Sequence, residues 1–89
     1  MIRIKLYGDL RKRVGKQTIE IDYREQKLIE IIENICEIYG LKQLIFRNNK
    51  VRGELLILVN GADWNSLGYL DRKVEDNSLI KLVPVWHGG

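Results

Sequence analysis

Between residues 28 and 39 the apolar side chains Leu28, Ile31, Ile32, Ile35, Ile38 and Tyr39 recur at i, i+3, i+4, i+7, i+10 and i+11, which is one stripe of an α-helix. Glu30, Glu33, Asn34 and Glu37 cover the opposite side. A helix with a single apolar stripe must bury it against another element, and the rest of the chain offers strands. Ile2, Ile4 and Leu6 alternate with Arg3, Lys5 and Tyr7, and Thr18-Ile19-Glu20-Ile21-Asp22 resumes the same period. Glu54 to Asn60 is an almost continuous apolar run, as in a strand covered on much of both faces, and Leu79 to Val85 forms the last strand. The expected class is therefore α+β, a sheet with one main amphipathic helix packed across it.

The connections refine this. The helix spans residues 25–39, with Asp22 the nearest candidate N-cap and Gly40 placed for a left-handed C′ position. Gly8 ends the first strand and Arg11-Lys12-Arg13-Val14-Gly15 reads as a basic turn, so residues 2–7 and 16–22 form a hairpin with a long loop. Leu41, Leu44, Ile45 and Phe46 suit a short helical turn, followed by a polar basic loop over residues 47–53. Asn60-Gly61 and Asp76-Asn77-Ser78 are turn signals, and regular pairing should fade at Pro84, which cannot donate to a ladder. The expected core includes Ile4, Leu6, Ile21, Leu28, Ile31, Ile35, Leu56, Leu58 and Leu82.

Composition bounds the function. At 89 residues there is room for one domain, and 45% hydrophobic residues argue against disorder. No apolar stretch approaches the ~18 residues of a membrane span, and Met1-Ile2-Arg3-Ile4-Lys5 lacks the apolar segment of a secretion signal. A single cysteine, Cys36, excludes an internal disulfide framework. The expectation is a soluble, cytoplasmic protein. A net charge of +3 is too mild to argue for direct nucleic-acid binding. With one His and one Cys, and without H-x-E, C-x-x-C or phosphate-loop patterns, no metal site or self-contained catalytic site is expected.

The sequence closes on Gly88-Gly89. Two readings stand: a frayed terminus, or a chain end whose α-carboxylate is the reactive group. Glycine has no Cβ, so an extended Gly-Gly passes through a channel too narrow for other residues. Trp86 to Gly89, extended at ~3.3 Å per residue, reach about 13 Å, enough to enter a partner's active site.

A small α+β domain ending in Gly-Gly resembles the ubiquitin-like β-grasp sulfur carriers and modifiers. That group includes the molybdopterin-synthase small subunit, the thiamine-pathway sulfur carrier and the ubiquitin-related modifier. Leu58-Val59-Asn60, Asp63-Trp64, Gly68, Glu75-Asp76 and His87-Gly88-Gly89 are similar to the ubiquitin-related modifier at matching spacing. Gly61 stands where that family often carries Asp, and Asn77 where a turn Gly is usual. Pro84-Val85 resembles the Pro-Val before Gly-Gly in molybdopterin-type carriers, but Trp86 and His87 intervene here.

The resemblance implies a β-grasp domain over residues 1–85, with the first and last strands parallel neighbours, and a flexible reactive tail over residues 86–89. It implies a carrier rather than an enzyme. An E1-like adenylating and sulfurtransferase enzyme activates the Gly89 carboxylate with ATP, while Gly88, His87, Trp86 and Val85 contact partners. A thiocarboxylate then serves a tRNA-thiolation enzyme, or the activated end acylates target-protein lysines. The alternative is the small subunit of molybdopterin synthase, its tail filling the large subunit.

Other residues have plainer readings. Trp64 reads as packing, and Trp86, beyond Pro84, as either packing or partner contact. His87 reads as a tail residue rather than an acid or base, and Cys36 as a small packing residue. The basic runs at Arg11 to Arg13 and Arg47 to Arg52 read as solvated loops, with partner steering or RNA contact as lesser options.

Overall fold

The computed structural model describes residues 1–86. The period-2 alternation at the N-terminus becomes β1 (Ile2–Leu6), with Ile2, Ile4 and Leu6 on the buried face. It pairs antiparallel with β2 (Thr18–Ile21) and parallel with the last strand. Between β1 and β2 lies a helix, α1 (Gly8–Val14). The long helix is α2 (Leu28–Tyr39), followed by the single turn α3 (Lys42–Ile45). A small ribbon of β3 (Phe46–Arg47) and β4 (Lys50–Val51) precedes β5 (Leu55–Val59), β6 (Ala62–Asp63) and β7 (Leu79–Pro84). The main sheet runs β2-β1-β7-β5-β6, mixed, with the parallel β1–β7 pair at its middle. This is the ubiquitin-like β-grasp arrangement, with the residues of α2 sharing one core with the inner face of the sheet.

Register explains the core. Ile4 lies beside Ile80 and Leu6 beside Leu82, while β5 sets Ile57 against Leu82 and Val59 against Ile80. Partners in one row share a face, so Leu55, Ile57 and Val59 are buried and Leu56 and Leu58 are only half-buried. This reverses the expected phase of β5. A run of five apolar residues carries no alternation, so its phase comes from the neighbouring strand. Ile21, also expected in the core, is half-buried at the edge of the sheet.

On α2 the core face holds Leu28, Ile31, Ile32, Ile35 and Cys36, whereas Ile38 is 61% exposed. At 3.6 residues per turn Cys36 and Ile38 point about 200° apart, so one sheet cannot cover both. The helix also begins at Leu28 rather than residue 25, and Asp22 is not its cap. The amides of Leu28 and Ile29 donate to the carbonyls of Arg72 (2.9 Å) and Leu70 (2.9 Å). Glu30 Oε1 accepts the Lys27 amide at 2.9 Å. Alongside that local cap, the Leu28 and Ile29 amides are thus satisfied by a segment some forty residues away, which no local motif reveals.

The basic stretch expected as a turn is helical because Leu10 and Val14, four apart, pack inward, Leu10 fully. Gly15 closes α1 at φ 87°, its amide donating to Arg11 O at 2.8 Å. In the supposed polar loop, Asn48 (φ 52°) and Asn49 (φ 63°) form the two-residue turn of the β3–β4 hairpin. Asn60-Gly61 makes the equivalent turn between β5 and β6, as expected. Ile31→Ala should cost about 2–5 kcal/mol in chemical denaturation through lost burial and a cavity. Ile38→Ala should stay within about 0.5 kcal/mol of wild type, since the side chain faces solvent.

Candidate functional site

The candidate site is the place where the chain leaves the sheet. Pro84 is the last residue of β7 and lies opposite Leu55. The Val85 amide still donates to Glu54 O at 3.0 Å, carrying the pairing one residue further. Gly8 opens α1 at φ +58°, and a Cβ there would lie 3.0 Å from Pro84 Cγ, so glycine lets the helix start sit against the end of the strand.

Trp86 is tied to the domain at this point. Its indole N–H donates to Asp9 Oδ2 at 2.9 Å, across 77 residues of sequence. The Arg52 guanidinium lies over the ring at 4.0 Å from its centroid, a cation–π contact. Arg52 is itself held: its side chain is 14% exposed, it donates to Leu44 O at 3.3 Å, and it pairs with Glu54 at 3.5 Å. The Glu54 carboxyl sits below the ordinary carboxylate range. Its own backbone amide is the main cause; burial opposes it, and Arg52 and Arg47 add lesser lowering effects. Trp86 is therefore held against the described fold. The tryptophan is anchored because partners from α1 and the β4–β5 connection meet there.

Of the residues expected to contact partners, Val85 is 53% exposed and Trp86 is half-buried. His87, Gly88 and Gly89 lie outside the described residues, as does the expectation that they are mobile.

Sequence reasoning missed the supports behind Arg52. Asn65 Nδ2 donates to Arg52 O (2.9 Å) and Leu55 O (2.8 Å), pinning the connection that carries the guanidinium. Asp63 Oδ1 accepts the amides of Asn65 (3.1 Å) and Ile57 (3.1 Å). The first of these is an Asx turn, a local signal available in Asp63-Trp64-Asn65. Trp64 is a packing residue, edge-on to Tyr69 with centroids 6.0 Å apart. Arg11 and Lys12 line an open groove with Gly8 and Gly15 beside the chain exit.

Cys36 is 3% exposed and its thiol is pushed up to about 11, chiefly by burial and further by Glu33. Among the described residues no three His, Cys, Asp or Glu groups cluster as metal ligands, and no helix is long and apolar enough to cross a membrane.

Comparison with known proteins gives these features a context. The model of the Urm1 (ubiquitin-related modifier) family matches residues 3–89. Ubiquitin-related modifier 1 of Bos taurus is 38% identical over 47 residues, 53% of this chain and 46% of that protein. That match thus spans about half the length of the mammalian relative. The Dictyostelium discoideum homolog is 30% identical over 94 residues, 99% of this chain and 98% of its own. SAMP1 from Haloferax volcanii shares the fold at a TM-score of 0.83, covering 99% of this chain and 98% of its own at 19% identity.

The buried thiol generates a prediction. A raised thiol pKa favours the fold fully below the ordinary value of 9.0, and that contribution is lost as pH rises through about 11. At neutral pH Cys36 should resist alkylation by iodoacetamide in the folded protein and react at once in denaturant, as read by intact mass.

Proposed function

The chain belongs to the ubiquitin-related modifier family, and on that premise we propose that it is a ubiquitin-like sulfur carrier and protein modifier whose reactive group is the Gly89 carboxylate. The observation that carries this reading is the family match over residues 3–89, which includes Gly88-Gly89. It stands on a fold whose central strand β7 ends at Pro84, shortly before those glycines in the sequence.

A carboxylate is a poor electrophile, so the chemistry needs activation. A carboxylate oxygen of Gly89 attacks the α-phosphorus of ATP in a partner adenylating enzyme, and pyrophosphate leaves. A persulfide sulfur on the partner then attacks the acyl-adenylate and displaces AMP. Cleavage of the acyl disulfide by a thiol leaves the thiocarboxylate. Delivery of that sulfur suits tRNA thiolation, and attack by a lysine amine on the activated acyl group gives an isopeptide instead. ATP is thus the partner's substrate, and this domain supplies the acyl group and a docking surface. The match to the modifier family favours this over a molybdopterin-synthase small subunit.

Deleting Gly89, or adding one residue after it, moves the carboxylate ~3.3–3.6 Å along an extended chain. A displacement of even 1 Å can cost about 10²-fold in an oriented reaction. ATP–pyrophosphate exchange with the E1-like partner should therefore collapse in both variants, while thermal melts match wild type. Exchange at wild-type rates in the deletion would show that the terminal carboxylate is not the reactive group. In the wild-type protein, incubation with ATP, sulfide and the same partner should raise the intact mass by the difference between sulfur and oxygen.

A further inference from the structure

Three contacts converge where the chain leaves the sheet. Gly8 makes room for Pro84, Asp9 accepts the Trp86 indole N–H at 2.9 Å, and Arg52 stacks over the ring at 4.0 Å. Gly8 and Asp9 open α1, whereas Arg52 comes from the β4–β5 connection and is fixed in turn by Leu44 O and by Asn65 acting on its own carbonyl. A partly buried tryptophan so close to the chain end packs against the core and has a dedicated acceptor. A tail free from its first residue needs none of this.

We propose that Trp86 is a positioning residue for the transfer reaction, a fixed anchor from which only His87, Gly88 and Gly89 extend into the partner. The inference rests on the adenylation reading above. With Trp86 held, three residues remain, and they reach at most about 10–11 Å when extended. The partner's reaction centre therefore lies within that distance of the Asp9–Trp86–Arg52 clamp when the complex is productive. Anchoring also removes the backbone freedom of Val85 and Trp86 before the partner binds, so that ordering cost is absent from the reactive step. The clamp acts on orientation, so its loss should appear in turnover rather than in docking.

The test is pyrophosphate exchange with the cell's own E1-like adenylating enzyme, resolved into kcat and KM, for wild type, Trp86→Ala, Trp86→Phe and Asp9→Ala. Ordering one further residue corresponds to about ten-fold, so Trp86→Ala should lower kcat by roughly that factor with KM changed less than about two-fold. Trp86→Phe keeps a ring under Arg52 without the donor and should recover part of the loss. Asp9→Ala should move kcat in the same direction by a smaller factor, although it leaves the tail sequence intact. Thermal melts and the NMR spectra of residues distant from the clamp identify any variant whose fold has changed. The indole N–H signal of Trp86, assigned against Trp64, should vanish or shift in Asp9→Ala. In wild type it should persist when the activating enzyme binds.

A rise in KM with unchanged kcat for Trp86→Ala would make the tryptophan a surface read by the partner, and would overturn the proposal. So would loss of the wild-type indole signal on complex formation, because the anchor would then be released. Absence of exchange with the wild-type chain would overturn the adenylation reading and the positioning role with it. Normal exchange in wild type and in all three variants would overturn the positioning role alone.

Discussion

The parallel pairing of β1 with β7 is the contact on which the other parts of this fold depend. Arg3 lies beside Leu79 and Leu6 beside Leu82, so the first and last of the described strands meet at the centre of the sheet. Parallel neighbours cannot be joined by a tight turn, and everything from α1 to the loop before β7 lies within that connection. The pairing also sets the inner face. Ile4 with Ile80 and Leu6 with Leu82 form the rows that α2 covers, and the same rows impose their phase on β5 through Ile80–Val59 and Leu82–Ile57. A shift of one residue between β1 and β7 would turn every buried side chain of β7 to solvent. Because the last strand is central rather than at an edge, the segment beyond it leaves from the best-supported part of the sheet.

The long return from β6 to β7 has structural work of its own. Its carbonyls at Leu70 and Arg72 receive the first amides of α2, and the Val74 amide returns a hydrogen bond to Gln26 O at 3.0 Å. Val74 is buried in the core. Arg72 lies 3.6 Å over the Tyr69 ring, and Tyr69 meets Trp64 edge-on. The irregular segment thus seats the helix N-terminus and covers one end of the core, which explains how a loop without regular pairing stays ordered.

What could be read from the sequence follows from the range of the forces involved. The body of the main helix, the four principal strands and the turns at Asn60-Gly61 and Asn77 depend on local periodicity or on residues that tolerate positive φ, and these appear where expected, apart from strand ends. The resemblance supplied the parallel β1–β7 pairing, which no local pattern encodes. The misreadings share the opposite property. The phase of β5 is decided by a neighbouring strand, the start of α2 by carbonyls from residues 70–72, and the exposure of Ile38 by where the sheet lies. α1 was obscured by its three consecutive basic residues, although Leu10 and Val14 kept helical spacing. At the candidate site, Val85, Trp86 and the terminal glycines stood out in the sequence. The partners of Trp86 did not, because Asp9 and Arg52 are 77 and 34 positions away and neither lies in a motif.

On the proposed function, an acyl carrier must satisfy two opposed demands at its C-terminus, and the local chemistry of this chain would separate them by residue type. The reacting end must thread a narrow channel, which glycine suits because it lacks a Cβ, but glycine cannot hold itself in place by burying apolar surface. A bulky aromatic residue does the reverse: it gains from burial and from a partner for its N–H, and it cannot pass a tight channel. Setting Trp86 immediately after the sheet and Gly88-Gly89 at the end puts the rigid and the permissive residues on opposite sides of His87. The order cannot be inverted without placing the anchor inside the partner. The same logic accounts for the polarity of the clamp. Asp9 and Arg52 hold the indole through a hydrogen bond and a cation–π contact rather than by deep burial. On that reading the anchor sits at the domain surface, where a partner's channel would open, and not in the core.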